Sequence, residues 1–183
     1  MAYGLEGRLV RLVPLDPERH TEPLQRWISD PGTTRTLGTG AFPISLLGER
    51  DFLERAARSD RDGLFWGVET IAGEFVGISD LHKLDWISRH AHSGSFIGPP
   101  EARGRGYGSE AARLRAAHAF GTLNLLTLYS SHLEGNEPSG RMLSRAGYEK
   151  WGVRPRAFYK EGRLLDEHCF VLTRERWETL QGG

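Results

Sequence analysis

Arg103-Gly104-Arg105-Gly106-Tyr107-Gly108-Ser109 is the stretch of this 183-residue chain whose residue types and spacing best support chemistry. Glycines let backbone amides converge with no Cβ in the way. Amides that converge at a helix N-terminus form an anion site, strengthened by the helix dipole. Arg103 and Arg105 add charge-assisted donors. The pattern predicts a strand before this loop and a helix beginning within it, so the reading is a cradle for a pyrophosphate.

Cradles of this kind differ in spacing. A Walker loop needs G-x-x-x-x-G-K-[ST], and the chain contains no such string. A dinucleotide fingerprint is spaced G-x-G-x-x-G, with an acidic residue about 20 residues later. Here the glycines stand at 104, 106 and 108, and no acidic side chain lies between Glu110 and Glu134. That spacing disfavours a dinucleotide-dependent oxidoreductase. Arg103-x-x-Gly106-x-Gly108 instead resembles the R/Q-x-x-G-x-G/A loop of the GNAT superfamily of acyl-CoA-dependent N-acetyltransferases. The resemblance continues through Trp27-Ile28-Ser29-Asp30-Pro31, Leu123-Asn124-Leu125, Asn136-x-x-Ser139, Ala146-Gly147-Tyr148 and the closing Gly162…Asp166. These segments look like the RimJ/RimL-type branch, which includes protein N-terminal acetyltransferases and similar spermidine acetyltransferases.

The resemblance implies transfer of an acetyl group from acetyl-CoA to a primary amine. It implies that the loop amides of Arg103, Gly104, Arg105, Gly106, Tyr107, Gly108 and Ser109 hold the pyrophosphate of coenzyme A. The backbone of Phe96, Ile97 and Gly98, on the strand before the loop, would pair with the pantetheine arm. That strand would splay from the next one, over 125–133, with the thioester in the gap. Asn136, just past the second strand, would contact the cofactor arm.

Amine acetylation needs an unprotonated amine, aimed donors for the developing oxyanion, and a proton or hydrogen bond for the departing thiolate. Many relatives place a tyrosine for the last task where this chain has Leu143. Ser139, in the N-x-x-S segment, is then the candidate donor. A base glutamate of some relatives aligns with Phe158, so it is not carried over. Glu134, Asp80 and His82, each near an expected strand end, are the remaining candidates for a base. An α-amine, with a pKa near 8, reduces the need for one. Asn136 and Ser139 also read as the cap and first turn of a helix, and the two roles are compatible. Loss of the tyrosine motivates a rival reading as a non-catalytic acyl-CoA-binding module.

These groups must be positioned by a mixed α/β (α+β) fold. Arg8–Leu15 reads as a strand, and Asp16 as the cap of a helix carrying Leu24, Trp27 and Ile28. Asp30-Pro31-Gly32 ends it, and a loop runs through Gly38, Gly40 and Pro43 to Ser45 and a second helix with Phe52, Leu53 and Ala56 on one face. Strands are expected at 64–68, 74–81 and about 90–98, as antiparallel neighbours. A helix follows over 107–121, with Ala111, Leu114 and Ala117 on one stripe, then a strand at 125–129, a helix at 136–146 with Gly147 at its end, and strands near 148–156 and 164–172. The sum is a mostly antiparallel sheet of about seven strands with helices on both faces, in one domain over 1–183.

The chain carries 24 basic and 24 acidic side chains, so it lacks the electrostatic footprint of a nucleic-acid binder. Its single cysteine, Cys169, excludes an intramolecular disulfide and a cysteine-based zinc site. His90 and His92 alternate on a strand without a cysteine partner nearby, and no metal is expected. No apolar run is long enough for a membrane helix, and the N-terminus lacks a signal-peptide pattern, so the cytoplasm is the expected setting. The substrate is expected to be a peptide or protein N-terminal amine. A polyamine would need acidic walls, for which Glu49, Asp51 and Glu54 are candidates, and other small amines stay open. A homodimer is a further expectation from the resemblance.

Overall fold

The structure, a computed structural model, describes residues 5–38 and 42–182. Gly40 and the first four residues, on which part of the sequence reading falls, lie outside them. Seven strands form one sheet: β1 (Val10–Pro14), β2 (Gly63–Thr70), β3 (Phe75–Asp85), β4 (His90–Ile97), β5 (Thr127–Leu133), β6 (Glu149–Lys160) and β7 (Arg163–Thr173). Their spatial order is β1-β2-β3-β4-β5-β7-β6. Every neighbouring pair is antiparallel except β4 and β5. This is the mixed, mostly antiparallel sheet that the sequence pattern predicts.

The helices begin where capping side chains permit. Asp16 accepts the amides of Glu18 and Arg19 at the start of α1 (Pro17–Ile28). Asp30 opens a short helix, α2 (Pro31–Thr34), taking the Thr33 amide at 2.8 Å and its hydroxyl at 2.7 Å. The Asp-Pro-Gly segment thus does more than stop α1. Ser45 caps α3 (Leu46–Ala56), accepting the Gly48 amide at 3.0 Å. The remaining helices are α4 (Tyr107–Gly121), α5 (Glu137–Arg145) and α6 (Arg174–Gln181).

Alternation along the strands divides the core between the two faces of the sheet. Leu81, Ala91, Leu128 and Leu172 pack with Ala111, Ala112, Ala116 and Phe120 of α4. Ile78, Phe65 and Phe96 pack on the opposite side against Leu24 of α1 and Leu53 of α3. Helix α4 differs from its expected stripe. Ala111 is buried, but Leu114 is only partly so and Ala117 is exposed; the inward face continues through Arg115, Ala116 and Ala119. An arginine on the buried face breaks the apolar pattern that would have marked it. The strand expected at 125–129 begins later, at Thr127. Leu125 is fully buried but lies before the strand.

Candidate active site

Strands β4 and β5 pair at three positions, His90 with Thr127, Ala91 with Leu128, and His92 with Tyr129. Beyond them the strands separate, although each continues to Ile97 and Leu133. Two serines close the vertex of this gap. Ser93 Oγ donates to Tyr129 O at 3.1 Å, and Ser130 Oγ donates to Ser93 O at 2.8 Å. The Gly98 amide donates to Val76 O at 3.0 Å. In an antiparallel pair, bonded edges alternate along the strand. Ser95 and Ile97 therefore turn their own N–H and C=O groups away from β3, into the gap.

The gap is part of a cleft of about 760 Å³. At one end lies the glycine loop. Gly104 and Gly106 have φ of +76° and +88°, a region that side chains with a Cβ rarely adopt. The first helical bond of α4 runs from the Glu110 amide to Gly106 O, so the amides of Tyr107, Gly108 and Ser109 precede it and point out of the helix end. The Glu110 carboxylate is occupied elsewhere, accepting the amides of Arg8, Leu9 and Val10 at 3.1, 2.6 and 2.7 Å. Those bonds fasten the N-terminal segment across the start of α4. A Cβ on Gly104 would meet nothing within 4 Å, so the loop is open on that side. Free first-turn amides at an open helix N-terminus are the donor set a pyrophosphate needs.

All the loop residues singled out by the sequence line the cleft except Arg105, which is exposed. The Arg103 side chain turns away from the loop amides. Its Nε donates to Ile97 O at 3.1 Å, and its Nη2 to Gly98 O at 2.6 Å and Thr33 Oγ1 at 3.0 Å. It clamps the end of β4 to α2. Phe96 and Ile97 line the cleft, while Gly98 lies beneath Trp27, whose ring would be 2.0 Å from a Cβ there. Asn136 caps α5, accepting the Ser139 amide at 3.3 Å, and its Nδ2 donates to Thr36 O at 3.2 Å. Ser139 lines the cleft, and its hydroxyl makes no hydrogen bond to a described residue. Leu143 is buried in the core, so no phenol stands in its place.

The three candidate bases lie off the cleft wall. Glu134 is exposed and accepts the Asp166 amide at 3.3 Å. Asp80 Oδ1 is 2.5 Å from His82 Nδ1, and its other oxygen packs against Gly94. The His82 ring lies 5.7 Å from that of His92, whose pKa is lowered, chiefly by burial and then by His82. His92 and His90 both contact the Tyr129 ring, and no cluster of three or more metal-ligating side chains occurs among the described residues.

Sequence reasoning missed two charged groups. Glu167 lines the cleft; Ser131 Oγ donates to its Oε1 at 2.6 Å, and Arg154 Nη2 pairs with its Oε2 at 2.7 Å. Its neighbour Asp166 marked the segment, but only the β5–β7 register brings Glu167 opposite Leu133. Arg115 is fully buried. Its Nη1 donates to Ser79 Oγ and Ser95 Oγ, each at 2.7 Å, and to the Gly94 carbonyl.

The sequence model of the acetyltransferase (GNAT) domain family matches residues 9–149. The chain belongs to that family. This GNAT protein is an acetyl-CoA-dependent N-acetyltransferase, acting on amines. It is 30% identical over 124 residues to YdaF of Bacillus subtilis, provisionally described as a ribosomal N-acetyltransferase, covering 68% of this chain and 67% of that protein. It is 28% identical over 122 residues to YoaA, an uncharacterized N-acetyltransferase of the same species, covering 66% and 68%. Among solved structures, spermidine N-acetyltransferase from Vibrio cholerae, in complex with CoA and spermine, superposes with a TM-score of 0.83 at 16% identity, over 92% of this chain and 98% of that one. A GCN5-related N-acetyltransferase from Brucella melitensis gives 0.79 at 26% identity, over 97% and 81%.

Proposed function

We propose that this N-acetyltransferase modifies the terminal α-amine of a peptide or protein, and that it belongs to the RimJ/RimL-like branch. The observation that carries this reading is the charge of the cleft. Among the described residues, Glu167 is the only carboxylate on its wall, against Arg103, Arg141 and Arg145. One carboxylate suits one ammonium. A polyamine presents several, and the acidic side chains suggested for it stand elsewhere. Glu54 is paired with Arg50 at 3.0 Å, Glu49 is buried, and neither they nor Asp51 line the cleft. The partial identity to YdaF accords with a peptide-like acceptor.

In this reading, the amides from Gly104 to Ser109 hold the pyrophosphate of acetyl-CoA, the Arg103 amide being spent on Pro100 O. Of Phe96, Ile97 and Gly98, Ile97 turns its N–H to the gap and holds the pantetheine arm along β4, with Asn136 opposite, while the Gly98 amide is spent on Val76 O and its carbonyl on Arg103. The acetyl carbon then lies in the gap between β4 and β5. The amine enters beside Glu167, where the carboxylate orients the ammonium and accepts its proton. The nitrogen lone pair forms the C–N bond, the C–S bond breaks, and the proton that the nitrogen then sheds is relayed through the Ser139 hydroxyl to the leaving sulfur. Glu134, Asp80 and His82 have no direct part in this scheme.

A cytoplasmic setting fits the single free thiol of Cys169. No helix among the described residues is long and apolar enough to cross a membrane. Homodimer formation stays an expectation, tested by the mass of the protein in solution.

The test is free-thiol release from acetyl-CoA with separate pools of N-terminal peptides, polyamines, and aminoglycosides with amino acids. Release with the peptide pool supports the proposal. Release with polyamines alone overturns it, and binding of acetyl-CoA without release from any pool returns the binding-module reading.

A further inference from the structure

Arg115 has no accessible surface, yet among the described residues no carboxylate answers its charge. Its Nη1 serves three oxygens on β3 and β4, while its Nε and Nη2 have no partner among the described residues. An uncompensated buried cation opposes folding, and an apolar side chain of similar size usually packs there at lower cost. Its place in the fold gives the charge a use. The guanidinium sits behind β4, on the α4 side, where the gap between β4 and β5 opens.

The acceptor Gly94 O belongs to the same peptide unit as the Ser95 N–H. The carbonyl faces β3 and the guanidinium, and the N–H faces the gap. A cation bonded to a peptide oxygen draws electron density through the unit and makes its N–H a stronger donor. The Ser95 hydroxyl also receives Nη1, which fixes the orientation of that residue. The guanidinium is fully buried and bonds the peptide oxygen directly, so its field on that peptide is weakly screened.

We propose that Arg115 is a positioning residue for acetyl transfer: it polarises the Gly94–Ser95 peptide so that the Ser95 N–H stabilises the negative charge developing on the acyl oxygen. The inference rests on the reading that the acyl arm lies along β4. The charge on that oxygen appears as the amine nitrogen bonds to the carbonyl carbon, and it disappears as the C–S bond breaks. A donor strengthened in advance lowers the barrier without tightening the ground state.

The test compares Arg115→Met, which keeps the length and removes the charge, with Arg115→Lys, which keeps the charge. The proposal expects Arg115→Met to melt no lower than the parent and to bind acetyl-CoA within about twofold. It expects kcat with an accepted amine to fall at least about tenfold. Arg115→Lys keeps kcat within about threefold. In the ligand-free protein, the Ser95 amide proton resonance moves upfield in Arg115→Met and less in Arg115→Lys. An Arg115→Met protein that is unfolded, or that loses melting temperature and acetyl-CoA affinity along with kcat, overturns the proposal and makes Arg115 a scaffold residue. So does an unchanged kcat. If the parent protein acetylates no amine, the reading of the acyl arm fails, and the Ser95 resonance still decides whether Arg115 polarises that peptide.

Discussion

Ser131 Oγ donates a 2.6 Å hydrogen bond to Glu167 Oε1, tying β5 to β7 on the wall of the cleft. The other carboxylate oxygen is held by Arg154 at 2.7 Å. The Glu167 side chain is 13% exposed, so both bonds fix it against the wall rather than leaving it free in water. Glu167→Gln keeps an oxygen for Ser131 and removes the charge. The expected outcome is a loss of about 10²-fold in kcat/KM for the amine. Acetyl-CoA affinity, read by calorimetry, stays unchanged.

The glycine loop predicts a different pattern. Gly106 sits at φ +88°, and a Cβ there would lie 3.3 Å from Leu9 Cδ1. A β-branched residue in this region costs about 1–2 kcal/mol and displaces the amides beside it. Gly106→Val is expected to weaken acetyl-CoA binding about tenfold or more, while circular dichroism shows the secondary structure retained. Amine KM, extrapolated to saturating acetyl-CoA, changes little.

Ser139 stands in the first turn of α5 with its hydroxyl toward the cleft and its amide on Asn136. The cap belongs to Asn136, so Ser139→Ala leaves it in place. Melting temperature is expected to hold within a few degrees, and kcat to fall about tenfold with KM values unchanged. An unchanged kcat would confine Ser139 to a structural role.

Four histidines make stability depend on pH. His20, His92, His118 and His132 all have pKa values lowered from 6.5, each chiefly by burial. His20 accepts the Asp16 amide at Nδ1 and leaves Nε2 buried without a partner among the described residues; His118 meets the Trp66 ring edge-on. The unfolded chain therefore binds more protons than the native one between the lowered values and 6.5. Their contribution to stability is fully present above 6.5 and is lost as pH falls through the native values. Glu49, raised by burial, acts in the opposite sense. Thermal melts are expected to show a lower midpoint at pH 5.5 than at pH 7.5, and a smaller difference in His118→Gln.

Much of this arrangement was legible in the chain itself. The capping residues Asp16 and Ser45 marked where helices start, and Gly147, at φ +98°, marked the end of α5. The glycine loop announced the helix N-terminus at Tyr107 because few other roles need that spacing. Strand β5 was harder. Its residues Ser130 and Ser131 face the vertex and the cleft, so the apolar signature lies upstream at Leu125 and Leu128. Helix α6 gave little signal, since no residue in it is buried. Glu167 and Arg115 were silent for a different reason. A glutamate in a strand and an arginine in a helix look like surface residues until long-range pairing puts one in a cleft and the other under the sheet.

The central claim is that a terminal α-amine is acetylated in the gap between β4 and β5. The most direct measurement is mass spectrometry on two matched peptides incubated with the enzyme and acetyl-CoA. One has a free α-amine and a methylated lysine side chain; the other has a blocked α-amine and a free lysine. The account predicts a single acetyl group on the first peptide, none on the second, and loss of the product with Glu167→Gln. Acetylation of the lysine peptide alone, or of spermidine in place of either, would contradict it.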